Sequence, residues 1–195
     1  MTLQKVNTRN TVLILMIVAA GAFRLVSYKY PYVLSNFTPV GAIALFGGAY
    51  FTDKWKAYLV PLLTLFLSDI ALNYLYTSKL VLFYSGSFWV YLCFAIMVFI
   101  GFAIKKINVV NVLGASLLAP TVFFLLSNFI TWSGLAGGLR GLDRPLTFEG
   151  LLLAYGDGLP FYKGGLLSTV IFSTLLFGGY YLITKNNTAA KHAQA

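Results

Sequence analysis

Charge is scarce in this chain. Asp and Glu together number 5 among 195 residues, and all charged residues make up 10%, where a soluble domain carries about 25%. Folded in water, the 59% of hydrophobic residues would leave apolar patches far larger than the few hundred Å² that soluble monomers tolerate. There is 1 cysteine, Cys93, so an intramolecular disulfide, a CxxC pair and a Cys/His zinc site are all excluded. The 1 histidine, His192, lies in the polar tail, which rules out a His-based triad or metal site among the apolar segments. No GxxxxGK[ST] stretch is present, so the chain carries no phosphate-binding loop of its own. No cofactor is implied. The 14 Lys and Arg raise the formal charge to +9, but they are scattered in ones and twos between apolar runs. Anchoring at a membrane surface explains that pattern; nucleic acid does not.

Long apolar runs are what the sequence does have, approximately at 11–28, 38–51, 57–76, 81–104, 109–131 and 159–184. In lipid an open sheet would leave backbone groups unpaired, and the period-two alternation of a barrel is missing. The expectation is an all-α membrane protein of six transmembrane helices forming a single domain over 1–195, with loops too short for a soluble catalytic domain. With the amino terminus inside, the cytoplasmic basic set is Lys5, Arg9, Lys54, Lys56, Lys105, Lys106, Lys185 and Lys191, 8 residues, against 5 outside, Lys29, Lys79, Arg140, Arg144 and Lys163. The excess places both termini in the cytoplasm and the protein in a bacterial cytoplasmic (inner) membrane. A competing reading takes Lys5, Arg9 and Ala19-Ala20-Gly21-Ala22 as a cleavable secretory signal. Cleavage would strand Arg24 at a new amino terminus and leave five spans, so six are retained.

The second run is too short to cross alone. Asn36-Phe37-Thr38-Pro39 has the pattern of a helix start, with an Asn or Thr cap and a proline in the first turn. If that helix begins below the surface, residues 29–37 must dip inward, which irregular backbone tolerates only where protein or water surrounds it.

Polar groups inside the spans are costly, and they usually face the bundle interior or a wet cavity. Here they gather toward one side: Arg24 near the outer end of span one, Asp69 and Asn73 in span three, Asn128 and Thr131 in span five, with Tyr84, Ser85 and Trp89 entering span four. Asp69 with Asn73, Ser85 with Trp89, and Asn128 with Trp132 are each four apart and share a helical face. The substrate-binding set expected from this clustering is Arg24, Asn36, Thr38, Asp69, Asn73, Trp89, Asn128 and Trp132. The bland alternative is structural, with Arg24 paired to Asp69 and the amides stapling helices together.

The stretch 132–158 is rich in Gly with Arg140, Asp143, Arg144 and Pro145, which reads as a lid or outer loop, with a short interfacial helix over 148–155 before the last span starts at Asp157-Gly158-Leu159-Pro160. Small residues Ala42, Gly47 and Gly48 offer a face for close helix docking, within the chain or onto another membrane subunit. Ala154-Tyr155-Gly156-Asp157 falls one residue short of the Gly-x-Gly-Asp motif of intramembrane aspartyl proteases, with Asp69 as a nominal second carboxylate. A lone buried Cys93 suits packing better than metal or corrinoid ligation.

Asn36 to Tyr50, reading NFTPVGAIALFGGAY, resembles the signature of a family of small uncharacterised bacterial membrane proteins. Ser68-Asp69, Phe123-Phe124-Leu125-Leu126-Ser127-Asn128-Phe129 with Trp132, and Glu149-Gly150-Leu151 followed by Leu159-Pro160-Phe161 are similar to that family's later motifs. In size and helix count the family is similar to the substrate-binding S components of energy-coupling factor vitamin transporters. The resemblance implies six helices, an outward-facing solute site, and docking of small-residue faces onto a membrane coupling subunit with paired ATPases. It supplies no ligand. The expected function is therefore uptake of a small, partly polar metabolite or vitamin-like solute, energised by a partner, rather than catalysis. Its partners are the solute, the bilayer and a coupling subunit, and not nucleic acid. A membrane scaffold or assembly factor with a structural polar cluster, and an intramembrane enzyme using Asp69 and Asp157, stand as the alternatives.

Overall fold

A computed structural model describes residues 8–136 and 144–192, with side chains described over 12–136 and 144–185. Residues 137–143 lie outside the described set, and with them the part of the expected lid that holds Gly137, Gly138, Arg140, Gly141 and Asp143; so does the side chain of His192. The described residues form six helices and no strand: α1 Thr8–Lys29, α2 Val40–Tyr50, α3 Lys54–Thr77, α4 Ser87–Phe102, α5 Val109–Ser133 and α6 Phe148–His192. Four of them, α1, α3, α5 and α6, are long and apolar enough to cross a membrane. The other two are not. α2 has 11 residues and α4 has 16, rising about 16 and 24 Å at 1.5 Å per residue, short of the roughly 30 Å of a hydrocarbon core.

Local sequence explains the ends. α5 opens on Asn108, whose side chain accepts from the Asn111 backbone N–H at 2.8 Å, a side-chain cap of the usual kind. It closes on Gly134 at φ 80, the left-handed region glycine enters without penalty. The expected fourth span over 81–104 is cut to start at Ser87, because Gly86 stands at φ 89 immediately before it. The expected Asn36 or Thr38 cap of α2 is also corrected: the flanking residue is Pro39, with no side-chain cap, and its carbonyl accepts from the Ile43 N–H at 3.0 Å. Asn36 instead takes a left-handed turn at φ 51.

The largest correction concerns α6. The short interfacial helix over 148–155 and the last span expected from 159 are one continuous helix of 45 residues, running through Pro160. Proline removes the bond to the carbonyl four residues back and crowds it, here that of Gly156, yet the helix continues through it.

Side-chain pairs show how the helices alternate. Tyr28 meets Tyr76 edge-on at 4.7 Å, and Arg24 reaches Asp69, so α1 and α3 finish together. Tyr155 bonds the Leu125 carbonyl at 3.2 Å and Tyr162 meets Thr121 at 2.8 Å, so α6 descends as α5 rises. Tyr50 packs on Tyr180 at 4.4 Å, and Gly41 lies against Thr169, so α2 runs alongside α6. One end of the bundle thus holds the finishes of α1, α3 and α5 and the starts of α2, α4 and α6; we call it the distal end.

Short α2 is the hub. Val40, Ala42, Ala44 and Leu45 are completely buried, and α2 touches α3, α4, α5 and α6. Gly48 is pressed on the α4 backbone: a Cβ there would collide with the Val98 carbonyl and lie 2.8 Å from the Gly101 Cα. Gly47 faces Ala57 and the Phe51 ring. Ala42, Gly47 and Gly48 therefore pack within the chain, and the docking of this face onto another subunit is overturned, because no part of it reaches the surface. The apolar residues that do reach the surface lie elsewhere, among them Ile14, Leu15 and Val18 on α1, Leu117 and Leu118 on α5, and Leu175 and Ile183 on α6. Water would penalise such faces and hydrocarbon would not.

Gly48→Ala should destabilise the detergent-solubilised protein by about 1–3 kcal/mol, the usual cost of overpacking, read as a lower thermal midpoint. Gly179→Ala, where a Cβ meets nothing within 4 Å, serves as the control and should leave the midpoint unchanged or raise it.

Candidate functional site

At the distal end the helices do not close on one another, and a cavity of 350 Å³ lies between them. All six contribute to its wall: Arg24 from α1, Gly41 from α2, Leu65 from α3, Val90, Phe94 and Met97 from α4, and longer runs from α5 and α6. Asn36 and Thr38 from the turn before α2 and Tyr84 from the turn before α4 complete the rim. The turn is held inward at its second half only. Ser27 Oγ donates to the Phe37 carbonyl at 2.9 Å, and the Phe37 ring packs on Phe23 and Phe172. Gly164 lets the Ser35 carbonyl approach α6 so closely that no Cβ would fit. Tyr32 and Val33 remain outside, so the expected inward dip of 29–37 applies to its last residues.

Among the described residues Arg24 is the one ionic group on the wall. Its guanidinium meets the Asp69 carboxylate at 2.7 Å and also donates to Ser68 Oγ and to the Leu65 carbonyl. Asp69 sits behind it, 3% exposed, with its second oxygen accepting from the Tyr91 hydroxyl at 3.0 Å. Two opposite charges in apolar surroundings persist only when each is paired and hydrogen-bonded, and every partner needed is present.

Of the eight residues expected to bind solute, Arg24, Asn36, Thr38 and Asn128 line this cavity. The other four stand elsewhere. Asp69 is screened by Arg24. Asn73, in the last turns of α3, donates to the Val81 carbonyl at 3.0 Å and ties down the α3–α4 turn. Trp89 donates its indole N–H to the Leu135 carbonyl at 2.9 Å, beside Ser85, which bonds Ala136 at 2.7 Å. Ser85 precedes α4, so the helical phase that would pair it with Trp89 on one face does not extend to it.

Trp132 lines a second, smaller hollow of 160 Å³ with Asn128, Thr131, Asp157, Gly158 and Phe161, and its indole N–H holds the Pro145 carbonyl at 2.9 Å. Above it Arg144 grips Asp157 with two bonds, 3.0 and 3.1 Å; that hydrogen bonding and charge push the guanidinium above its ordinary value. Asp69 and Asp157 are thus each held by a different arginine, an arrangement unlike two carboxylates sharing a proton. Cys93 is buried, and among the described residues no three His, Cys, Asp or Glu come together.

The sequence reading missed the α6 wall. Gly158, Phe161, Tyr162, Gly165, Ser168 and Thr169 all face the cavity, and their spacing of three, one, three, three and one is a single helical stripe. That signal was present but mixed small, aromatic and hydroxyl residues without a charge to draw attention. Opposite it, α5 presents Pro120, Phe123, Phe124, Ser127, Asn128 and Thr131. The two walls are pinned by Phe124 stacked on Tyr162, centroids 4.7 Å apart, and by Gly158 seated on the Asn128 amide with no room for a Cβ.

The chain belongs to the family described as "Family of unknown function (DUF6580)", whose model matches residues 4–192. No curated protein and no solved structure matches it.

Arg24→Met should destabilise the protein by about 3–5 kcal/mol, because it leaves a buried carboxylate unpaired, while Arg24→Met combined with Asp69→Leu should recover most of the loss. Asp157→Asn, which breaks a partly exposed pair, should cost far less than Arg24→Met. Thermal or denaturant unfolding in one detergent orders the three.

Proposed function

We propose that this protein is a solute-binding membrane protein that captures a small, partly polar metabolite or vitamin-like compound in the distal cavity for uptake. The observation that carries the reading is a single hollow built by all six helices, in which an arginine, amides and hydroxyls share the wall with Phe94, Phe123, Phe124 and Phe161. Concave, mostly apolar sites with a few convergent polar groups are where small molecules bind, and 350 Å³ falls within the usual range of about 300–1,000 Å³. In the orientation favoured by the basic residues, both termini lie in the cytoplasm of a bacterial cell and the cavity faces outward across the cytoplasmic membrane. The similarity in size and helix count to energy-coupling factor S components supports the same reading by analogy of fold.

With no phosphate-binding loop in the chain, energy comes from a partner or an ion gradient. A coupling subunit with ATPases would have to dock on a surface other than Ala42, Gly47 and Gly48, which are inside the bundle. The saturated Arg24–Asp69 cluster gives the rival reading its one support: in a scaffold or assembly factor the same ions would only staple α1, α3 and α4.

Native mass spectrometry after gentle extraction decides between them. A small molecule retained by the wild-type protein and lost in Ser127→Trp, which fills the cavity from α5 without touching the ion pair, is the expected result. A stable protein partner with no retained compound in the wild type would favour the scaffold instead.

A further inference from the structure

On the α5–α6 side of the cavity the hydroxyl protons are already spoken for. Thr131 Oγ1 donates to the Ser127 carbonyl at 2.9 Å, and Thr169 and Ser168 both donate to the Gly165 carbonyl, at 2.8 and 3.0 Å. Tyr162 shares a 2.8 Å bond with Thr121, whose own proton goes to the Leu117 carbonyl at 2.6 Å; the tyrosine is therefore the donor. One N–H of the Asn128 amide goes to the Phe124 carbonyl at 2.8 Å, leaving its second N–H and its oxygen. A hydroxyl has one proton and two lone pairs, so once its proton is bound to the helix it can offer a ligand only acceptance. Apart from the second Asn128 N–H, the α5–α6 wall is an acceptor surface.

Its charge is equally committed. Arg24 is matched one to one by Asp69 at 2.7 Å, and the remaining oxygen of Asp69 is taken by Tyr91. An anion entering the cavity would have to compete with a buried carboxylate for the guanidinium, and a cation would meet that guanidinium with no free carboxylate to offset it. Either way a net charge would be carried into a low-dielectric site without a counterion, which is strongly unfavourable. Between these polar edges the walls are rings, Phe94 against Phe123 at 5.1 Å and Phe124 on Tyr162, surfaces that favour stacked or edge-on aromatic contacts.

We infer that the cavity selects a solute without net charge, built on a planar ring of one or two cycles, that presents N–H or O–H donors to the α5–α6 wall. This rests on the solute-binding reading and names its substrate class. Three probes of one shape separate charge from size: 2-naphthamide, 2-naphthoate and 2-naphthylmethylammonium. With the full-length protein in nanodiscs, equilibrium dialysis should give 2-naphthamide an affinity at least about tenfold above both ions, the scale expected when an unpaired charge must be desolvated. N,N-dimethyl-2-naphthamide, which has no N–H, should fall toward the ions. Asp69→Asn should shift preference toward naphthoate by removing the negative partner, and Arg24→Gln combined with Asp69→Asn should restore preference for the amide, which guards against a variant that simply fails to fold. Equal or tighter binding of either ion to the wild type, or no binding of the amide, overturns the inference. A compound retained in native mass spectrometry that carries a net charge would overturn it too while leaving the solute-binding reading standing, and the absence of any retained compound bears on that wider reading alone.

Discussion

A guanidinium and a carboxylate buried among apolar helices tie three of those helices together at one point. Arg24 and Asp69 must meet, since either alone would be an uncompensated charge in a medium that cannot solvate it. Their meeting sets the register of α1 on α3, and the bond from Tyr91 extends the constraint to α4. Ser68, one residue before Asp69, donates to the Thr64 carbonyl and accepts from Arg24, so the pair is satisfied on its backbone side as well. What remains of the guanidinium is the polar corner of the cavity. The ionic cluster is therefore wall and staple at once, and the structural and functional readings of it do not exclude each other.

The hollow itself follows from the shortness of α2. An 11-residue helix cannot fill the full height of a bundle in which α1, α3 and α5 run for 22 to 25 residues. Because its small residues let α3, α4 and α6 close around it at one level, the missing height is concentrated at the distal end. There the chain before α2 supplies a partial plug, with the Ser35 carbonyl set against Gly164 and Asn36 in a left-handed turn. Pro120 borders the same space from α5; lacking an N–H, it leaves the carbonyl four residues earlier without its helical donor. Small residues below and irregular backbone above are two aspects of one packing problem.

Much of this was legible from composition. The count of six helices, their all-α character and the gathering of Arg24, Asn36, Thr38 and Asn128 at one end follow from where polar residues interrupt apolar runs. Phase arguments worked only where the residues compared were on one helix. Asn128 and Trp132 do share the α5 helix and both border the smaller hollow, yet only Asn128 reaches the larger cavity, because the Trp132 indole turns to the Pro145 carbonyl. Asp69 and Asn73 share a face of α3, but that face meets α1 and the following turn rather than empty volume. Gly and Pro misled at 156–160: their propensity for ending helices was outweighed in α6, where an apolar flank in lipid leaves the backbone few alternatives to its own hydrogen bonds. The partner-docking reading of Ala42, Gly47 and Gly48 failed for a related reason. Small-residue patches announce close approach and say nothing about which neighbour approaches.

Hydroxyls bonded back to their own helix are the ordinary way for serine and threonine to lie in an apolar bundle. Thr64 and Ser116 do it too, donating to Val60 and Val112 at 2.7 Å, and both are buried in packed surroundings where their spare lone pairs meet nothing of consequence. Thr131 and Thr169 have the same chemistry and a different environment. They border a space large enough for a molecule, so their unused acceptor capacity is exposed to whatever enters. Position relative to empty volume, and not residue type or local bonding, separates a hydroxyl that merely tolerates the interior from one able to read a ligand. That is why the α6 stripe was invisible as a site in the sequence, where Thr64, Ser116 and Thr169 look alike.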